Sequence, residues 1–152
     1  MREILFRGKQ TDNGRWVEGR LLSDNTIVPK GQPFYVFNNH IRFIEDIECF
    51  NVKPNTIGQY TDLTDKNGTK IFEGDIVKCT DTFGGYEFIA VVMFGNPNGE
   101  YNWGFQLNRI SGASANTDIL LWVEMEETGA FIEIIGNMHD NPELLESEVE
   151  GE

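Results

Sequence analysis

Two runs decide the fold class: Tyr86-Glu87-Phe88-Ile89-Ala90-Val91-Val92-Met93-Phe94 and Tyr101-Asn102-Trp103-Gly104-Phe105-Gln106-Leu107-Asn108, joined by the polar connection Gly95-Asn96-Pro97-Asn98-Gly99. In the first run Tyr86, Phe88, Ala90, Val92 and Phe94 form one alternating set, and Glu87, Ile89, Val91 and Met93 form the other. Successive side chains of a strand point to opposite faces. Apolar residues in both sets therefore predict a central strand covered on two sides, or one that crosses between packing surfaces. The second run alternates cleanly, with Tyr101, Trp103, Phe105 and Leu107 opposite Asn102, Gly104, Gln106 and Asn108. That is the pattern of a half-buried antiparallel strand. Aromatic residues facing each other across such a pair add about 0.2–1 kcal/mol over a small pair.

Towards the N-terminus the same grammar repeats. Ile4-Leu5-Phe6 and Trp16 to Leu22 read as strands around the turn Asp12-Asn13-Gly14, and a hairpin pairing them is the simplest organisation. Ser23-Asp24-Asn25 turns the chain into Thr26-Ile27-Val28, and Phe34 to Phe37 is rich in strand formers up to Asn38-Asn39-His40. Ile41 to Phe50 fits both periods; its Ile and Phe content favours strand and loop, with a helical turn near Glu45-Asp46 as the alternative. Ile57 to Tyr60 is a short strand before Asp62-Leu63-Thr64-Asp65-Lys66-Asn67-Gly68, where Asn67-Gly68 is the strongest turn signal in the chain. Ile71-Phe72, the turn Glu73-Gly74-Asp75 and Ile76 to Cys79 follow, with Gly84-Gly85 as a bend before the long apolar run.

Towards the C-terminus, Ser111 to Asp118 lacks periodicity and reads as a loop. Ile119-Leu120-Leu121-Trp122-Val123 and Phe131 to Ile135 read as two further strands. Asn141-Pro142-Glu143-Leu144-Leu145 places a capping residue before a proline at the first helical position, so a short helical turn is expected there. The expected organisation is two closely packed β subdomains, 1–55 and 56–145, followed by a flexible acidic tail, 146–152.

Composition limits the partners. The chain has 152 residues and a net charge of −13. Residues 1–109 hold 12 Lys and Arg against 14 Asp and Glu, whereas residues 110–152 hold none against 11. An acidic C-terminal region disfavours contact with a phosphate backbone, which needs cations to displace counterions. It suits a basic partner, a divalent cation, or solubility alone. No apolar run approaches the roughly 20 residues that cross a bilayer, and the first residues lack a secretory pattern, so the expectation is a cytoplasmic protein. Cys49 and Cys79 both sit in apolar or alternating runs and read first as buried thiols, with a disulfide or a metal role as the alternatives.

Several phrases resemble the YopX family of phage and prophage proteins. They are Met1-Arg2-Glu3-Ile4-Leu5-Phe6-Arg7-Gly8 with Trp16-Val17-Glu18-Gly19, Thr56-Ile57-Gly58-Gln59-Tyr60-Thr61, Asp65-Lys66-Asn67-Gly68, Lys70 to Val77, and Ile135-Gly136-Asn137-Met138-His139-Asp140-Asn141-Pro142-Glu143-Leu144-Leu145. They stand in the family's order along nearly the whole chain. The resemblance implies a mainly β architecture whose C-terminal subdomain is a small SH3-like curled barrel. It carries no catalytic residue, cofactor or substrate across. One departure stands out: Asp62 occupies a place where members commonly have Gly, and its Cβ disfavours the positive φ a glycine would accept.

The residues offer five candidate chemistries, and plainer structural readings compete with them. Asp62, Asp65, Glu73 and Asp75 surround turns and could hold Mg²⁺ or Ca²⁺ or act as acid and base. Their spacing matches no calcium loop, and turn capping explains them more simply. Gly74 permits the reversal, and Asp75 can accept turn amides. His139-Asp140 lacks a recognised nucleophile. Gly84-Gly85 lacks the lysine and helix of a phosphate loop. Tyr101, Trp103 and Phe105 would stack bases, but alternation explains them as core, and cations are scarce nearby. Arg2, Arg7, Lys9, Arg15 and Arg20 could form a basic patch.

No catalytic, cofactor or metal residue is therefore assigned. The leading expectation is a non-enzymatic accessory protein that binds an unknown host or phage protein through the Asp62–Gly68, Gly95–Gly99 and Ser111–Asp118 loops. The alternatives are a metal-assisted hydrolase using the acidic 62–75 region, and an acidic mimic of nucleic acid that occupies a basic protein. Homo-oligomers are compatible with sheet edges; a membrane role is not expected.

Overall fold

The computed structural model describes residues 4–29, 34–43, 49–95, 104–112, 119–124 and 129–146. The chain divides into two compact units, Met1–Tyr60 and Thr61–Glu152.

In the first unit β1 (Phe6–Lys9) and β2 (Trp16–Ser23) form the expected antiparallel hairpin, in register from Phe6↔Gly19 to Lys9↔Trp16. The strand begins later than the apolar run suggests: Leu5 is buried ahead of it and Ile4 is exposed. β3 (Thr26–Pro29) adds to β2 after the Ser23–Asn25 turn. This pairing requires a glycine at 19, because a Cβ there would lie 1.8 Å from the Val28 carbonyl oxygen. β4 (Phe34–Phe37) and β5 (His40–Phe43) make a separate two-stranded hairpin. Its turn residues Asn38 and Asn39 have φ of 51° and 63°, the left-handed pair that matches strand twist. Glu45 and Asp46, the alternative helical turn, lie outside the described residues. β6 (Phe50–Asn51) pairs with β3, and a 3₁₀ turn spans Pro54–Thr56. Leu5, Ile27, Val28, Val52 and Tyr60 are buried here.

β7 (Gly58–Thr64) opens beside β1, with Arg7↔Gly58 and Phe6↔Gln59. Its later residues lead, in the second unit, into the hairpin with β8 (Lys70–Phe72). The remaining strands are β9 (Asp75–Asp81), β10 (Tyr86–Gly95), β11 (Gly104–Gly112) and β12 (Ala130–Asn137), ordered β11-β10-β9-β12 and all antiparallel. The run that decides the fold class is thus a central strand. Phe88, Ala90 and Val92 face the main core, while Val91 and its partner Ile76 are buried on the opposite face. Phe94 and Phe105 stand opposite each other with ring centroids 5.1 Å apart, a facing aromatic pair of the kind the alternation predicts.

Two expectations are corrected. The sheet does not close: β11 and β12 are its two ends and do not pair with each other, so the curled SH3-like barrel gives way to an open, mainly β sheet. Ile119 to Val123 is not a strand but belongs to α1 (Ile119–Glu124). Ile119 and Trp122, three positions apart, point into the core, and Leu120 is exposed. That period is helical. Trp122 meets Phe88 edge-on at 5.3 Å, so α1 covers one sheet face. The expected closing turn is present as a 3₁₀ turn, Pro142–Leu145, with proline in its first positions. No helix among the described residues is long and apolar enough to cross a membrane.

Candidate functional site

The acidic turns of the second unit are the natural starting point. Gly68 N–H donates to the Asp65 carbonyl at 3.0 Å, closing a four-residue turn, and Gly68 has φ of 81° while Asn67 does not enter the left-handed region. This is a right-handed turn followed by one left-handed glycine. Its anchor is the Asp65 carboxylate, which is only 7% exposed. Oδ1 accepts the N–H groups of Asn67 and Thr69, each at 2.9 Å, and Oδ2 accepts the Ile134 N–H on β12 at 3.0 Å. Lys66 N–H adds a bond to the Ile132 carbonyl at 3.0 Å. One carboxylate therefore organises the turn and ties it to a strand 69 positions away.

Asp75 does similar work one turn later. It is 2% exposed, and its Oδ2 accepts the Phe72 N–H at 2.8 Å across the reversal. Gly74 has φ of 94°, donates its N–H to the Val92 carbonyl at 2.8 Å, and accepts the Met138 N–H at 2.9 Å. His139 sits against this turn: its Nε2 would be 3.6 Å from a Cβ on Gly74. Asn137 Oδ1 accepts the N–H groups of His139 and Asp140 at 3.0 and 2.9 Å, and its Nδ2 donates to Asp140 Oδ2 at 3.1 Å. The phrases that carry the family resemblance thus meet one another: Asp65 holds β12, and Gly74 holds the start of the His139 loop.

The other two acids behave differently. Asp62 is exposed and holds φ of 71°, so the backbone keeps the glycine-like conformation even though the side chain is Asp. Glu73 is half-buried. Among the described residues no group of three or more His, Cys, Asp or Glu is placed to hold a metal ion.

The remaining candidates separate. Cys79 is buried, and burial pushes its thiol up to about 12; Cys49 is exposed, against the expectation of two buried thiols, and both are free. Tyr101, Trp103, Arg2 and residues 96–99 and 113–118 lie outside the described residues. Phe105 is half-buried against Phe94. Arg7 lies over the Trp16 ring, 4.8 Å from its centroid. Gly84 and Gly85 form the β9–β10 turn, where Asp81 Oδ1 accepts the Gly84 N–H at 2.8 Å.

Two features escape the sequence reading. One is a small cleft of about 60 Å³ lined by Thr64, Asp65, Lys66, Trp122, Val123, Phe131 and Ile132. Lys66 Nζ is held there 4.6 Å from the Phe131 ring centroid and 3.7 Å from the Glu133 carboxylate. The other is Phe83, 81% exposed at the tip of the β9–β10 turn. Periodicity marks core positions and is silent about a turn residue.

Comparison with known proteins gives one family and one fold relative of note. The family described as YopX protein matches residues 5–146. No curated protein matches the chain. Among solved structures, the crystal structure of protein EF1440 from Enterococcus faecalis is similar at a TM-score of 0.53 and 23% identity. The match covers 96% of this chain and 100% of that one, and at this identity it speaks to the fold alone.

Proposed function

We propose that this chain, which belongs to the YopX family of phage and prophage proteins, is a non-enzymatic accessory protein that works by binding a host or phage protein. One observation carries the reading. The two most buried of the candidate acids, Asp65 and Asp75, have their carboxylates occupied by backbone N–H groups. A carboxylate that accepts turn amides positions chain and is poorly placed to ligate a metal or move a proton. The sheet is then scaffold, and recognition belongs to the turns and exposed side chains around it. The same proposal places the protein in the cytoplasm, where its two free thiols stay reduced.

The test separates binding from hydrolysis. Calorimetry with Mg²⁺, Mn²⁺ and Ca²⁺, together with a phosphoester hydrolysis panel, should give no ion-dependent heat and no turnover. Affinity capture from infected host cells should return a reproducible partner. Metal-dependent turnover that disappears in Asp62→Asn and Glu73→Gln, neither of which anchors a turn, would overturn the reading.

A further inference from the structure

We propose that the aromatic tip of the β9–β10 turn, centred on Phe83, docks an arginine- and lysine-rich segment of the partner protein; this rests on the binding reading above and names the partner's chemistry. The tip is ordered. Thr82 donates both its N–H and its Oγ1 hydrogen to the Gly129 carbonyl, at 3.0 and 2.9 Å. Gly85 N–H donates to the Asp81 carbonyl at 2.8 Å, and Asp81 Oδ1 accepts the Gly84 N–H at 2.8 Å. Each ring at the tip rests against a glycine. A Cβ on Gly129 would lie 2.6 Å from the Phe83 ring, and one on Gly84 would lie 2.5 Å from the Tyr86 ring. Tyr86 also meets Trp122 edge-on, at 6.4 Å and 86°. Phe83 nevertheless stays 81% exposed and Tyr86 37% exposed. A preorganised ring facing water contributes little to the folded core, but it is the kind of rigid anchor that dominates protein interfaces.

Charge selects the occupant. The unit Met1–Tyr60 carries eight Lys and Arg against seven Asp and Glu, a net +1, whereas Thr61–Glu152 carries four against eighteen, a net −14. The cations of the second unit are already engaged: Lys66 with Glu133, Lys78 with Glu87 at 3.5 Å, and Arg109 with the Gly112 carbonyl at 2.8 Å; Lys70 also has a partner. A nucleic acid would meet uncompensated repulsion, and a second copy of the same face would bring two strongly acidic units together. A cationic segment gains twice: its charges meet the acidic field, and an arginine can stack on the open face of Phe83.

The experiment uses the full chain and a fluorescein-labelled peptide of alternating arginine and serine, followed by fluorescence anisotropy. Binding is expected at low salt, to weaken steeply as salt rises, and to fall about tenfold in Phe83→Ala. The variant should unfold at the wild-type denaturant concentration, since the ring is exposed. Glu143→Gln, a charge change elsewhere on the same unit, should alter affinity far less. No binding by the wild-type chain, or equal binding by Phe83→Ala, overturns the inference. Parallel capture from infected cells distinguishes the two levels. A partner retained equally by Phe83→Ala refutes the docking site and leaves the binding reading standing. Metal-dependent turnover without any partner refutes the binding reading itself.

Discussion

Replacing Asp65 by Ala removes the carboxylate that accepts the Asn67, Thr69 and Ile134 N–H groups. A hydrogen bond to a charged group contributes about 1.5–3 kcal/mol, and a buried donor left alone costs about 1–3 kcal/mol. Asn67 and Thr69 are exposed and can turn to water, while Ile134 lies within β12 and is only partly accessible. The main loss is therefore the Ile134 bond and the register it fixes, and the sum expected is about 2–4 kcal/mol. That is a large share of the about 5–15 kcal/mol by which a domain is normally stable. Urea unfolding followed by tryptophan fluorescence reads it, because Trp122 in the second unit packs on Phe88. With a slope of about 1–3 kcal/mol per molar urea, the midpoint should fall by about 1 M or more. Asp65→Asn keeps one oxygen but presents an N–H₂ towards one of the donors, so it should fall between wild type and Ala. A midpoint within about 0.2 M of wild type for the Ala variant would refute the reasoning.

Three other outcomes follow from the geometry. Asp62→Gly should raise stability by about 0.5–1 kcal/mol in the same assay, because it relieves a left-handed L-residue while adding glycine's entropy to the unfolded chain; a destabilised variant would show that the Asp62 side chain contributes something further. Gly74→Val should lose about 1–3 kcal/mol from backbone strain at φ of 94°, and unchanged stability would contradict that. At pH 8 a thiol reagent should label exposed Cys49 promptly and reach buried Cys79 only in denaturant; equal rates would place Cys79 at the surface. The sign of the associated pH effect is fixed. With the folded thiol raised from 9.0 to about 12, its stabilising contribution is complete below pH 9 and is lost as pH climbs towards 12, where the unfolded chain alone has released the proton.

The strand content was legible because period two is a local property: Phe88, Ala90 and Val92 announce their shared face without reference to the rest of the chain. α1 was not, because five consecutive apolar residues from Ile119 satisfy a strand and a helix equally, and only burial of Ile119 and Trp122 with Leu120 exposed decides between them. The turn at Asp65–Gly68 was located correctly, whereas nothing in the pattern singled out Asn38-Asn39 as the pair that takes two left-handed residues in succession. The barrel was inferred from resemblance, and sheet closure depends on whether the two end strands meet, which no local pattern encodes. The acids around 62–75 were visible as a group, with capping the preferred role. That Asp65 reaches Ile134 could not be read, since the two become neighbours only when β12 is laid against β9. Phe83 was invisible for a related reason: exposure at a turn tip depends on what packs beside it.

The central claim is that the buried acids of the turns bind backbone and not metal or substrate. Carboxyl-carbon NMR on the labelled full chain tests it most directly, by seeking scalar couplings across hydrogen bonds from the Asn67, Thr69 and Ile134 amide nitrogens to the Asp65 side-chain carbon. The account expects all three couplings, unchanged when Mg²⁺ or Ca²⁺ is added. Their absence, or their disappearance on adding the ion, would contradict it.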